Sequence, residues 1–135
     1  MILLILKGIY YFTDLRSYIG EWKNNAMNGF GEFRWKDGKK YFGLYKDDKK
    51  EGFGIYFWRE PQIKVYVGFW KNGKHDGIGK YLTKEKTKIG LWSKGEKIKW
   101  LKDYNESLKY FKGENTNYFK YFIYSFREIE GLLKD

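Results

Sequence analysis

The chain has no cysteine, one proline and one histidine among 135 residues. Without cysteine there is no disulfide framework, no thiolate metal ligand and no cysteine nucleophile, and the redox compartment is not encoded. The single proline argues against a disordered chain, which would be richer in it. The single histidine, His75, reads as a hairpin-loop residue beside Asp76. The matching positions of neighbouring units hold Met27 and Lys50. A metal centre needs several convergent ligands, so no metal site is predicted. Long hydrophobic runs are also missing. Ile2 to Leu6 is apolar over five residues, whereas a spanning helix needs about 20. A secretory leader needs a basic start and an apolar stretch of about 7–15. The reading is a cytoplasmic protein without a transmembrane segment.

Catalytic patterns are equally sparse. Asp47, Asp48 and Asp76 fall in loops, but the acidic residues show no repeated pairing of the kind acid/base chemistry needs. Gly-x-Gly occurs three times, never as Gly-x-Gly-x-x-Gly between a strand and a helix. Ser17, Ser93, Ser107 and Ser125 lie in no nucleophile-elbow context. The chain therefore reads as non-enzymatic, with no catalytic residue and no cofactor.

What is abundant is aromatic and basic. Phe, Trp and Tyr make up 22% of residues, which suits a sheet-rich chain. The net charge of +10 is uneven. Residues 18–100 hold 19 Lys/Arg against 10 Asp/Glu, while residues 101–135 hold six of each. The basic part favours an acidic partner: a protein surface, a lipid headgroup layer or, as the weakest of the three, nucleic acid. Its aromatics follow a glycine register that already accounts for them, which sets nucleic acid aside.

That register is a repeat. Tyr18-Ile19-Gly20-Glu21-Trp22 leads to Gly29-Phe30-Gly31-Glu32-Phe33. Tyr41-Phe42-Gly43-Leu44-Tyr45 leads to Gly52-Phe53-Gly54-Ile55-Tyr56, and Tyr66-Val67-Gly68-Phe69-Trp70 leads to Gly77-Ile78-Gly79-Lys80-Tyr81. Lys88-Ile89-Gly90-Leu91-Trp92 opens a unit that lacks its Gly-x-Gly half. The starts lie 23, 25 and 22 residues apart, and a period in this range decides the architecture. Gly8-Ile9-Tyr10 parallels Gly54-Ile55-Tyr56, so residues 3–17 read as half a unit, with Leu6 in place of the first glycine.

These residues resemble the MORN repeat, roughly Tyr-x-Gly-x-Trp, a short polar loop, then Gly-x-Gly-x-Tyr/Phe. The resemblance implies a single-layer, twisted antiparallel sheet of stacked hairpins. It also implies a non-catalytic module that binds partner proteins in cytoskeletal or axonemal assemblies, with phospholipid contact proposed for some members. The lysine- and asparagine-rich composition resembles that of a protist with an AT-rich genome. The expected organisation is a sheet over residues 1–100, with repeats from 18, 41 and 66 and a partial repeat over 88–100, then a helical tail over 101–135.

Side chains alternate between the faces of a sheet. One face should carry Tyr18, Trp22, Phe33, Tyr41, Tyr45, Tyr56, Tyr66, Trp70, Tyr81 and Trp92 as an aromatic groove for a partner. Contact and core roles weigh equally for these rings. The other face should carry Ile19, Phe30, Phe42, Leu44, Phe53, Ile55, Val67, Phe69, Ile78, Ile89 and Leu91. Such a face is too apolar for open solvent and is expected to be covered. Polar loops are predicted over Lys23–Asn28, Lys46–Glu51 and Lys71–Asp76, with a tight turn at Asp37-Gly38. Lys23, Lys46, Lys49 and Lys71 are candidate contacts to an anionic surface.

In the tail, 103–111 reads as a short helix broken at Gly113–Thr116. A second helix is predicted from a cap at Thr116 or Asn117 to about Leu133. Tyr118, Phe119, Phe122, Phe126, Ile129 and Leu133 form its apolar stripe, widened by Tyr121 and Tyr124. The tail is expected to pack on the sheet. Two readings stand beside that one: a partner-binding helix and a helix lying on a membrane surface. The main functional reading is a scaffold within a larger hetero-assembly; the alternative is a module that binds anionic phospholipid.

Overall fold

The computed structural model describes residues 5–124 of the chain. Nine strands form one antiparallel sheet whose spatial order is the order of the sequence. They are β1 (Ile5–Tyr11), β2 (Ser17–Lys23), β3 (Ala26–Arg34), β4 (Lys40–Lys46), β5 (Lys49–Trp58), β6 (Lys64–Lys71), β7 (Lys74–Thr83), β8 (Thr87–Ser93) and β9 (Glu96–Leu101). After β9 come α1 (Tyr104–Ser107), 3-10 turns over Leu108–Tyr110 and Gly113–Tyr118, and α2 (Phe119–Tyr124). The mainly β fold with a short helical segment is the one the repeat implies.

The polar loops are shorter than expected. Strands meet at two-residue turns, Asn24-Asn25, Asp47-Asp48, Asn72-Gly73 and Lys94-Gly95, all with positive φ. Turns with φ above zero at both central residues match the twist of the strands they join. The residues that follow them belong to the sheet. Met27, Lys50 and His75 are therefore strand residues and not loop residues. The first glycine of each Gly-x-Gly sits at a register shift, with φ of +80° at Gly29, +95° at Gly52 and +98° at Gly77. A bulge there requires a conformation that a side chain resists.

The second glycines and their partners fall into one row. Gly8, Gly20, Gly31, Gly43, Gly54, Gly68, Gly79 and Gly90 pair in succession across eight strands. β1 is thus the second strand of an incomplete unit, and Leu6 lies opposite Trp22. The unit starting at Lys88 does close as a hairpin, with Trp100 opposite Gly90 where a glycine would stand. A missing Gly-x-Gly hid that strand in the sequence.

Both faces of the sheet hold an apolar cluster. Tyr18, Tyr41, Tyr45, Tyr66, Trp70 and Trp92 lead one. Phe53, Val67, Phe69, Ile78 and Ile89 lead the other, together with Phe111 and Phe122 from the tail. The tail therefore packs on its own sheet. Tyr118 stacks on Phe53 with ring centroids 5.0 Å apart, and Phe111 meets Phe69 edge-on at 5.7 Å. The first helix is shorter than the 103–111 predicted, α1 giving way to a 3-10 turn at Leu108, and the predicted run of the second to Leu133 extends outside the described residues. Asp103 caps α1 by accepting from the Glu106 amide at 2.9 Å. A 3-10 turn occupies 113–118, so α2 begins at Phe119 rather than at a Thr116 or Asn117 cap. Phe122 is buried and Tyr121 is exposed. Phe126, Ile129, Leu133 and the side chain of Tyr124 lie outside the described residues.

Candidate functional site

Each unit is built around its tyrosine. The rings of Tyr18, Tyr41 and Tyr66 lie over Gly31, Gly54 and Gly79, so closely that a β-carbon at any of the three would overlap the ring. Their hydroxyls donate across the bulge to carbonyls three residues on: Glu21 at 2.9 Å, Leu44 at 2.9 Å and Phe69 at 3.2 Å. The bulge leaves those carbonyls outside the ladder, which explains tyrosine rather than phenylalanine. Burial pushes the Tyr18 hydroxyl up to about 12 and raises those of Tyr41 and Tyr66 well above the ordinary phenol range, so all three stay neutral donors.

The tyrosines are the rungs of an aromatic ladder. Tyr18 meets Trp22 and Tyr45 edge-on at 5.0 and 5.5 Å. Tyr41 meets Tyr45 and Trp70 at 5.1 and 5.5 Å, and Tyr66 meets Trp70 and Trp92 at 5.2 and 5.5 Å. Each of these six tyrosine contacts has the T-shaped geometry that aromatic quadrupoles favour. Along one side of this floor run Phe33, Trp35, Tyr56, Trp58 and Tyr81, linked pairwise through their rings.

Along the other side stand Met27, Lys50 and His75, each opposite Trp22, Tyr45 or Trp70. The Lys50 ammonium lies 5.3–5.7 Å from the rings of Tyr41, Tyr56 and Trp70, and burial lowers its pKa. His75 stacks on Tyr66 at 4.0 Å, and its Nδ1 lies 3.3 Å from the Tyr81 hydroxyl. Burial first, then the charges of Lys64 and Lys50, push its pKa down to about 4. The sequence offered one signal for these three: they hold the same register position in successive units.

The ten rings predicted for the groove all line this face, but most form its floor. Tyr18, Tyr41 and Tyr66 are fully buried, and Phe33, Tyr45, Tyr56, Trp70 and Trp92 are buried; only Trp22 and Tyr81 are partly open. The groove is open at its β1 end. There an open cavity of about 560 Å³ is lined by Tyr10, Phe12, Arg16, Trp22, Met27, Trp35, Tyr45, Asp48 and Lys50, among others. Phe12, Arg16 and Trp35 lie in connections between strands, outside the repeat signature; alternation places Trp35 on the face of Gly29, Gly31 and Phe33, and Phe12 and Arg16 had no such reading.

The four two-residue turns share one rim, since alternate connections of a meander lie on the same side. They are tied together. Asp47 N donates to Asn28 Oδ1 at 3.1 Å, Asn72 N to Glu51 Oε1 at 3.1 Å, and Lys94 N to Asp76 Oδ2 at 3.0 Å. In parallel, the amides of Asp48, Gly73 and Gly95 donate to the carbonyls of Met27, Lys50 and His75. The polar residue before each bulge glycine is thus a latch for the next turn, a role the sequence reading missed. Lys46, Lys49 and Lys71 are exposed on this rim and Lys23 is half-buried.

The second face divides in two. Under the tail, Phe53, Val67, Phe69 and Ile78 are buried. Lys80 is buried with them, its Nζ donating to the Tyr104 hydroxyl at 3.2 Å and to the Ile123 carbonyl at 3.5 Å. Burial pushes its pKa down to about 7. On β2–β4 the cover stops: Ile19, Phe30 and Phe42 are 45%, 42% and 55% exposed. Leu44, Ile55 and Leu91 are intermediate. The described part of the tail lies over the C-terminal part of this face and crosses only the later strands.

Among the described residues no group of three or more His, Cys, Asp or Glu could hold a metal ion, and no helix is long and apolar enough to cross a membrane. The family model described as MORN repeat matches residues 18–40, 41–60 and 66–84. No curated protein matches the chain.

Proposed function

The chain is a MORN-repeat protein, and from that premise we propose that it is a non-catalytic scaffold that holds a segment of a partner protein in the aromatic groove. MORN repeats are in general protein- or membrane-interaction modules. One observation carries the choice of the groove. Its floor is a fixed ladder of buried rings, yet at the β1 end Trp22, Trp35 and Phe12 remain partly open around a cavity of about 560 Å³. Rigid, partly exposed aromatics lose little conformational entropy on contact and are the usual anchors of protein interfaces. Arg16, Lys49 and Lys50 beside them favour a segment with a carboxylate next to its apolar side chains. A cytoskeletal or axonemal assembly in the cytoplasm is the setting this reading assigns.

The test is co-purification from native material with the wild-type chain and with a Trp22→Ser/Trp35→Ser variant. A stoichiometric partner retained by the first and lost by the second is the expected result. Elution of the wild type as a lone monomer overturns the scaffold reading. A second reading has its own observation, the lysines gathered on one rim. Flotation with phosphatidylserine vesicles at physiological salt tests it: binding lost on Lys-to-Glu changes at Lys23, Lys46, Lys49 and Lys71 supports a membrane module, and no flotation removes it.

A further inference from the structure

The two ends of the sheet are finished differently. At the β9 end the repeat is closed. Trp100 stands in the glycine row, and its ring would lie 3.1 Å from a β-carbon on Gly90. The tyrosine position of that unit is taken by Lys88, whose Nζ sits 4.7 Å over the Trp100 ring. The two changes go together, since an indole at the glycine position leaves no bed for a tyrosine. β9 also carries Glu96, Lys97 and Lys99, charges of the kind that blunt a free edge.

At the β1 end the unit is open. Gly8 continues the glycine row, opposite Gly20. In β3, β5 and β7 the equivalent glycine is covered by a tyrosine from the first strand of its own unit. At Gly8 a β-carbon would meet, among the described residues, only the Trp22 ring, no closer than 3.8 Å. Among the described residues no strand pairs with the outer edge of β1. Over seven residues this edge holds one charge, Lys7, and it exposes Ile9 by 57%, Tyr10 by 51% and Tyr11 by 76%.

We propose that the outer edge of β1 is a strand-addition site. Its ligand is an extended segment of another polypeptide, running antiparallel to β1, with a tyrosine two residues before a glycine. The ligand glycine pairs with Gly8 and the tyrosine with Tyr10, as Gly20 pairs with Gly31 and Tyr18 with Phe33. The ring then covers Gly8, and the main chain supplies the ladder bonds, the division of labour found wherever a peptide extends a sheet. A second copy of the chain does not fit. Two β1 strands centred on Gly8 would place Leu6 where the tyrosine is needed, and β9 brings Trp100 against the glycine row. This edge adjoins the groove, since Tyr10 lines the cavity and the Trp22 ring lies beside Gly8. The site is read by main-chain pairing along β1, so protected β1 amides test it apart from the groove reading.

The probe is a capped peptide of sequence Ser-Tyr-Ile-Gly-Glu-Trp-Lys, a copy of β2, titrated into the full-length protein. The readouts are NMR shifts and amide exchange. Expected results are saturable binding with new protection along β1, and at least tenfold weaker binding of the peptide with Tyr replaced by Ser. Gly8→Val should weaken the parent peptide at least tenfold, because its side chain fills the place of the ring. That variant has room to fold, and an unchanged Tm confirms that it does. The proposal is overturned if the peptide does not bind at millimolar concentration, if its protection maps elsewhere, or if Gly8→Val leaves affinity unchanged. Sedimentation should show a monomer; a dimer with protected β1 amides would assign the edge to self-association instead.

Discussion

The imidazole of His75 lies flat on the ring of Tyr66, with centroids 4.0 Å apart and planes 24° from parallel. The groove therefore holds the neutral form, and the pKa falls from the ordinary 6.5 to about 4. Lys64 and Lys50 reinforce the effect of burial, while Tyr66 and Tyr81 are neutral in this range.

Stability should therefore decline in acid through this residue. The unfolded chain takes up a proton at His75 below about pH 6.5, and the folded chain takes it up only near pH 4. The stabilisation is complete above the upper value and is lost as pH falls between the two. Urea midpoints at pH 7.5 and pH 5 should differ more for the wild type than for His75→Phe. Equal differences would show that His75 does not titrate as its surroundings require.

Removing one hydroxyl should be felt. Tyr41→Phe keeps the ring over Gly54 but strips the half-buried Leu44 carbonyl of its donor at 2.9 Å. The expected loss is about 1–2 kcal/mol in denaturant unfolding, from the unsatisfied acceptor.

Adding one methyl group in the glycine row should be worse. A β-carbon at Gly79 falls within the Tyr66 ring, which is itself pinned by Trp70, Trp92 and His75. Gly79→Ala should cost about 2–4 kcal/mol, at or beyond the upper part of the range for overpacked cores. Gly8→Ala, whose β-carbon would make ordinary van der Waals contact with the Trp22 ring at 3.8 Å, should change the unfolding midpoint little. The pair of variants isolates ring overlap from the general effect of losing a glycine.

The tail should behave as core. Phe122 is fully buried against Phe111 and Tyr104, with ring centroids 5.1 and 5.9 Å away. Phe122→Ala should destabilise the protein by about 3–5 kcal/mol. Hydrogen exchange should rise on β6–β9, which the tail covers, more than on β2–β3.

The Tyr-Gly-Trp register exposed the sheet, its strand order and its two faces, because each of those residues has one steric task that its neighbours cannot share. Lys88 and Trp100 hid the last hairpin, since together they replace the signature by a different pair that solves the same packing problem. The turns were read too long because Met27, Lys50 and His75 look like loop residues until the aromatic cage around them is seen. The reachable end of the groove was illegible for a related reason. Phe12, Trp35 and Trp58 do recur 23 residues apart, each four residues after a row glycine, but the repeat signature ends two residues after that glycine, and only the folded chain brings Phe12, Arg16 and Trp35 together beside Trp22.

The latches along the rim have a consequence for length. Each unit contributes two strands, and neighbouring strands lie about 4.8 Å apart, so successive turns stand roughly 10 Å apart. The bonds from Asp47 to Asn28, from Asn72 to Glu51 and from Lys94 to Asp76 prevent the turns from splaying away from that spacing. Lys23, Lys46, Lys49 and Lys71 ride on this fixed pitch. The rim is in effect a graduated edge, and an acidic surface with its own regular spacing would either match it at several marks or at one.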